Sequence, residues 1–252
     1  MKRMQDDDGF IAALDQSGGS SKCTILQSQT TASQTNANDH SFSISHSSLH
    51  PKAPGALRLF GIQDDDYIIG EKSMFDQIHY IRTRIISSPK FNANHGVIGA
   101  ILFDDTIKRN IEGLPSADYL WKKKCIVPFL KIDKGLEVKK DGVELMKTIP
   151  NLNEICVDAV AHNIFGTKMR SVIHSANRTG IKNVVTQQFE VAKQIIANGL
   201  VPIIEPEVSI ESHEKCKCEE LLLAEIIENV SIQHISFLIA FLISILKLHS
   251  PR

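Results

Sequence analysis

No charge of either sign dominates this chain: 28 Lys and Arg residues stand against 29 Asp and Glu, a formal charge of −1. A polyanion-binding surface needs a basic excess, so nucleic acid is not an expected partner. The five cysteines are an odd and scattered set. They suit reduced thiols of the cytoplasm rather than a disulfide framework. The opening residues, MKRMQDDD, lack the apolar core of a signal peptide. One almost wholly apolar run, 235–246 (ISFLIAFLISIL), is twelve residues long, short of the about 18 that a membrane span requires. It reads as a buried strand or helix before it reads as a membrane anchor. A cytoplasmic globular protein is expected.

What is present centres on 200–208, LVPIIEPEV. Branched apolar residues run into Glu205 and Glu207, two positions apart with a proline between them. Residues two apart on a strand project to the same side, so both carboxylates share one direction at the end of an apolar strand. Working residues in a parallel α/β barrel sit at the C-terminal ends of its strands. The length, 252 residues, suits either two small domains or one such barrel of about 250 residues. An apolar content of 42% is enough for a full core.

Four further strands are expected. Residues 9–20, GFIAALDQSGGS, read as a buried strand ending at Asp15 in a glycine-rich turn; an aspartate there is either a helix cap or a site residue. VIGAILF at 97–103 is a continuous apolar run, as in a parallel strand buried on both faces. VPFLKIDKG at 127–135 puts Lys131 and Asp133 on one face, and an inward lysine asks for an anionic partner. The Lys122–Lys124 tract before it reads as a solvated face. FGTKMR at 165–170 puts Lys168 and Arg170 on one side, which is either a phosphate or carboxylate site or a surface salt-bridge pair.

Helices are expected between some of these strands. One begins at Ser73, with Asp76 as a capping-box partner and Met74, Ile78, Ile81 and Ile85 as its buried stripe, and closes at Pro89. Another covers 180–198, with Val185, Phe189, Ala192 and Ile196 inward and Gly199 as its stop. Residues 21–50, rich in Ser, Thr, Asn, Gln and His, cannot bury enough surface to offset ordering, and read as a disordered insertion, either a lid or a retained intron. His213, Cys216 and Cys218 lack a fourth metal ligand, and the two cysteines read as a reduced surface pair.

In order, FIAALDQSGGS, GAILF, VPFLKIDKG, FGTKMR, QQFEVAKQIIA and VPIIEPEV resemble class I fructose-bisphosphate aldolase of the bacterial-like type, over residues 9–20 and 54–225. The resemblance implies a (β/α)8 TIM barrel and a substrate that is a sugar bisphosphate. It implies reversible cleavage of fructose 1,6-bisphosphate into dihydroxyacetone phosphate and glyceraldehyde 3-phosphate through a Schiff base on lysine, with no metal or other cofactor. The dispersal of the ten histidines suits this class over the zinc-dependent one.

By the same resemblance, Asp15 handles the C4 hydroxyl proton, and Ser17 and Ser20 lie near substrate. Lys131 sits at the C6 phosphate and Arg170 on substrate phosphate. Lys168 stands beside the Schiff base, Glu205 is the general acid/base, and Glu207 is its electrostatic companion. Two carboxylates so close are expected to have their pKa values pushed apart.

The motifs fade after Glu225, yet Lys247 in ILKLHSP matches the Schiff-base lysine, if it is not a chance lysine in a divergent apolar tail (226–252). An apolar setting would favour the neutral amine. The family's strands seven and eight have no counterpart in this sequence. One barrel domain broken off after about strand five or six is expected, with little turnover by this polypeptide alone. A catalytically inactive fragment serving as an interaction module is the competing expectation, and a homo-oligomer stays open.

Overall fold

The computed structural model describes Met4 and residues 7–15 and 57–233. The chain divides into two compact units, Gln16–Ile86 and Met1–Asp15 with Ser87–Arg252. Ser17, Ser20, Lys247, the 21–50 segment and the 235–246 run lie outside the described residues.

The smaller unit is organised by α1 (Lys72–Ser87). Met74 and Ile81 join Leu57, Ile62 and Tyr67 in a core that Ile78 and Ile85 also pack against, so the expected stripe is the buried one. Asp76 pairs with Lys72 at 2.7 Å, and the Ser73 hydroxyl accepts from the Ile68 amide at 2.9 Å.

The larger unit is built on β1 (Phe10–Leu14), β2 (Val97–Leu102), then the small hairpin β3 (Asn110–Ile111) and β4 (Leu114–Pro115), β5 (Val127–Lys131), β6 (Val143–Glu144), β7 (Gly166–Ile173) and β8 (Val201–Val208). β1, β2, β5, β7 and β8 pair successively and in parallel. These are the five expected strands. Their spatial order follows the sequence with no reversal, which is the winding of a barrel wall rather than of an open sheet with a switch point. The structure thus carries the first five strands of the expected (β/α)8 fold. Antiparallel β6, which sequence reading missed, adds at the far end of β7.

Alternation along the strands sorts the inward face into two levels. Ile101, Val127, Phe129 and Ile203 form an apolar floor with Ile11 and Phe165 packed against it. Two residues further on come the charges: Lys131 after Phe129, Glu205 after Ile203, and Asp15 beyond Ala13. Gly166 makes room for Phe129, because a Cβ there would lie 2.8 Å from that ring and 2.1 Å from the Val201 carbonyl oxygen.

The outer face is covered by α4 (Leu152–Ala161), after the short α2 (Asp104–Ile107) and α3 (Ser116–Tyr119), and by α5 (Arg178–Ala197) and α6 (Lys215–Gln233). α5 starts where the Asn177 side chain accepts from the Gly180 amide at 2.9 Å, and ends at Gly199, whose φ of +79° a side chain would strain. Val185, Phe189 and Ala192 are buried as expected, but the stripe continues through Ile195; Ile196 is exposed.

Lys124 corrects the reading of its tract as solvated. It is buried and donates to the carbonyls of Ser87 and Ser88 at 2.9 and 2.8 Å. Cys218 is also buried, beside the Ser212 hydroxyl, whereas Cys216 is exposed.

Candidate active site

Lys131 and Lys168 occupy register-matched positions on β5 and β7. Two like charges side by side on a sheet repel, so both need counter-charges. Lys168, buried, has two. Its ammonium lies 2.6 Å from Glu205 and 3.4 Å from Asp15. Asp15 and Glu205 come from β1 and β8, strands at opposite ends of the parallel set, and meet across this one nitrogen.

Lys131 donates to the Asp133 carboxylate at 2.5 Å and to the Asp133 carbonyl at 3.1 Å. Arg170 donates to Glu207 at 2.9 Å. The anionic partner expected for Lys131 is therefore the residue two positions on, and the Lys168 and Arg170 pair meets the two glutamates of β8. Of the nine residues singled out from sequence, six are brought to one mouth of the strand set: Asp15, Lys131, Lys168, Arg170, Glu205 and Glu207.

Burial works on the paired groups in opposite senses. Desolvation pushes the Glu205 carboxyl above its ordinary range; Lys168 pulls it down and the neighbouring Glu207 charge pushes it further up, and the net direction is upward. For Lys168 desolvation lowers the ammonium, but the attraction of Glu205 and Asp15 outweighs it and the net direction is again upward. Both shifts favour holding protons. The Lys168 ammonium is thus stabilised by its two carboxylates, and burial makes the Glu205 carboxyl easier to protonate than an exposed glutamate.

Three features of the site were not assigned from sequence. Asp133 was placed on the face of Lys131 without a role; its buried Oδ2 has no hydrogen-bond partner among the described residues. The buried Gln188 of α5 donates to the Ser171 hydroxyl at 3.0 Å and to the Glu205 carbonyl at 3.2 Å, tying β7 to β8 behind the charges. Over the end of β7, His174 Nε2 lies 2.7 Å from Glu144. A polar residue inside an apolar helical stripe was the available signal for Gln188, and the Asp141-Gly142 dipeptide was the one for the hairpin that carries Glu144.

A singly wound parallel strand set with an apolar floor and a closed ionic mouth defines the barrel-enzyme class of fold. The family model for class I fructose-bisphosphate aldolase, described as glycolytic, matches residues 73–244, and the chain belongs to that family. The match continues well past Glu225, where the recognisable motifs fade. Relatives bearing the name fructose-bisphosphate aldolase class 1 include those of Porphyromonas gingivalis (46% identical over 90% of this chain and 66% of the relative), Synechocystis sp. (47%, 88% and 63%) and Clostridium acetobutylicum (48%, 92% and 67%). The chain therefore spans about two thirds of the length of these relatives. The fold is also shared with a Plasmodium falciparum fructose-bisphosphate aldolase solved with TRAP and a small-molecule inhibitor, at a TM-score of 0.60 and 18% identity over 90% of this chain and 58% of that one. Among the described residues, no helix is long and apolar enough to cross a membrane.

Proposed function

We propose that this chain carries the lysine-based half of fructose 1,6-bisphosphate cleavage in the cytoplasm, with Lys247 as the nucleophile. The observation that carries this reading is the position of Lys168 between Asp15 and Glu205. An amine attacks a carbonyl only when neutral. Lys168, held protonated by two carboxylates, is a poor nucleophile. Its charge instead discourages protonation of an amine brought alongside. Lys247 is the candidate for that amine by its ILKLHSP setting, three residues beyond the end of the family match.

In the proposed sequence the Lys247 amine adds to the ketone carbon. Glu205, biased towards its protonated form, donates to the hydroxyl that departs as water, leaving the Schiff base. The Asp15 carboxylate then takes the C4 hydroxyl proton as the bond between C3 and C4 breaks. The aldehyde product leaves, and the electron pair remains on the enamine that Lys168 faces. Lys131 and Arg170 are the candidates for holding substrate phosphate, Glu207 orients Arg170, and Ser17 and Ser20 are candidates for substrate contact by the family resemblance alone.

Incubating the full chain with dihydroxyacetone phosphate and borohydride tests this reading. A stable mass gain of one reduced triose phosphate per chain is expected. Absence of any adduct would favour the non-catalytic interaction module.

A further inference from the structure

The two cations assigned to substrate phosphate are already engaged by carboxylates of this chain, and the two engagements differ. Lys131 and Asp133 form their pair with side chains only 8% and 5% exposed. The Arg170–Glu207 pair is more open, at 19% and 35%. Asp133 Oδ1 accepts from Lys131 and, at 3.4 Å, from the Gly135 amide, whereas Oδ2 has no hydrogen-bond partner among the described residues.

We propose that Asp133 and Glu207 are resident counter-ions whose places on Lys131 and Arg170 are taken by the anionic groups of the substrate, and that Asp133 sets how much charge such a group must carry. This rests on the aldolase reading only in identifying the substrate as a phosphate ester. A buried ammonium without an anion is strongly unfavourable, so Lys131 keeps a partner at all times. An entering group must therefore outcompete Asp133 rather than fill an open position.

The two carboxylates face different fates when displaced. Glu207, about a third exposed, can turn to solvent. Asp133 cannot, and its displacement adds a second unpartnered oxygen to one that lacks a donor already, at the full desolvation cost of each. Exchange at Arg170 is therefore easy, and exchange at Lys131 requires a strong anion. A hydroxyl or a singly charged carboxylate falls below that threshold, whereas a phosphate ester with a charge of about −1.5 to −2 clears it. The pair thus discriminates phosphorylated from free sugars at one end of the substrate.

Calorimetric titration of inorganic phosphate into the full chain at low salt, for the parent, Asp133→Asn and Glu207→Gln, tests the proposal. Each variant keeps the side-chain shape and removes the competing charge. Both are expected to bind phosphate more tightly than the parent, Glu207→Gln by up to about fivefold, the factor given by losing a competitor of exposed ion-pair strength, and Asp133→Asn by more. Equal or weaker binding would overturn the proposal, because carboxylates that merely position the cations for phosphate would have to be present for it to bind. Glu207→Gln, at the more open position, keeps the test decisive if Asp133→Asn does not fold. Absence of phosphate binding in all three proteins would also overturn it, while a borohydride-trapped adduct would leave the lysine-based chemistry standing.

Discussion

At the scale of single residues, the contact between Lys168 and Glu205 links protonation to folding. A carboxyl raised by burial binds its proton more tightly in the folded chain than in the unfolded one. Its contribution to stability is therefore fully present below the ordinary glutamate value of about 4.3, and is lost as pH rises through the elevated folded value. The denaturation midpoint of the parent relative to Glu205→Gln should accordingly fall from pH 4 upward and then level off. A parent that gains on the variant over that range would show that Lys168 depresses this carboxyl instead. The same substitution should slow adduct formation with dihydroxyacetone phosphate by about 10² to 10⁴, the range for loss of a positioned general acid.

At the scale of elements, β7 and β8 are held together from both faces. On the inner side the absence of a Gly166 side chain leaves room for the Val201 carbonyl of β8 and for Phe129 of β5; on the outer side Gln188 bridges the Ser171 hydroxyl and the Glu205 carbonyl. Gly166→Ala should destabilise by about 1–3 kcal/mol, as overpacking does. It should also loosen amide-exchange protection along 166–173 and 201–208, and unchanged protection there would contradict the packing described. The 135–147 hairpin is docked by one α5 side chain, Gln187, which exchanges two hydrogen bonds with the Met146 backbone at 3.0 and 2.8 Å. Gln187→Ala should raise exchange in that hairpin while leaving β5 protected.

The five parallel strands were legible because each is an apolar run that switches to charge at its end. The charged residues fell on the right parity because a strand's period of two leaves no choice. Other elements escaped for physical reasons. α4 buries only Leu152, Cys156 and Ala159, too few turns for a period to show. Both missed hairpins turn through consecutive residues of positive φ, Glu112-Gly113 and Asp141-Gly142, a turn type whose flanking strands of two residues carry no alternation of their own. Lys124 was misread because its tract shows three lysines and only the tertiary fold decides which one points inward. Parity likewise put Lys168 with Arg170 and Glu205 with Glu207, but that Glu205 and Asp15 reach the same Lys168 ammonium is visible only in three dimensions.

At the scale of the whole molecule, four of five successive strands deliver cations and carboxylates to one mouth above an apolar floor, and the chain spans about two thirds of its relatives. Both lysines described at that mouth are committed to ion pairs, so the account needs its reactive amine from the tail. The most direct measurement is to locate, by peptide mass mapping, the lysine that borohydride fixes to dihydroxyacetone phosphate in the full chain. The account predicts modification concentrated on Lys247 and strongly reduced in Glu205→Gln. Modification of Lys168, or an even spread over exposed lysines such as Lys122 and Lys123, would contradict it.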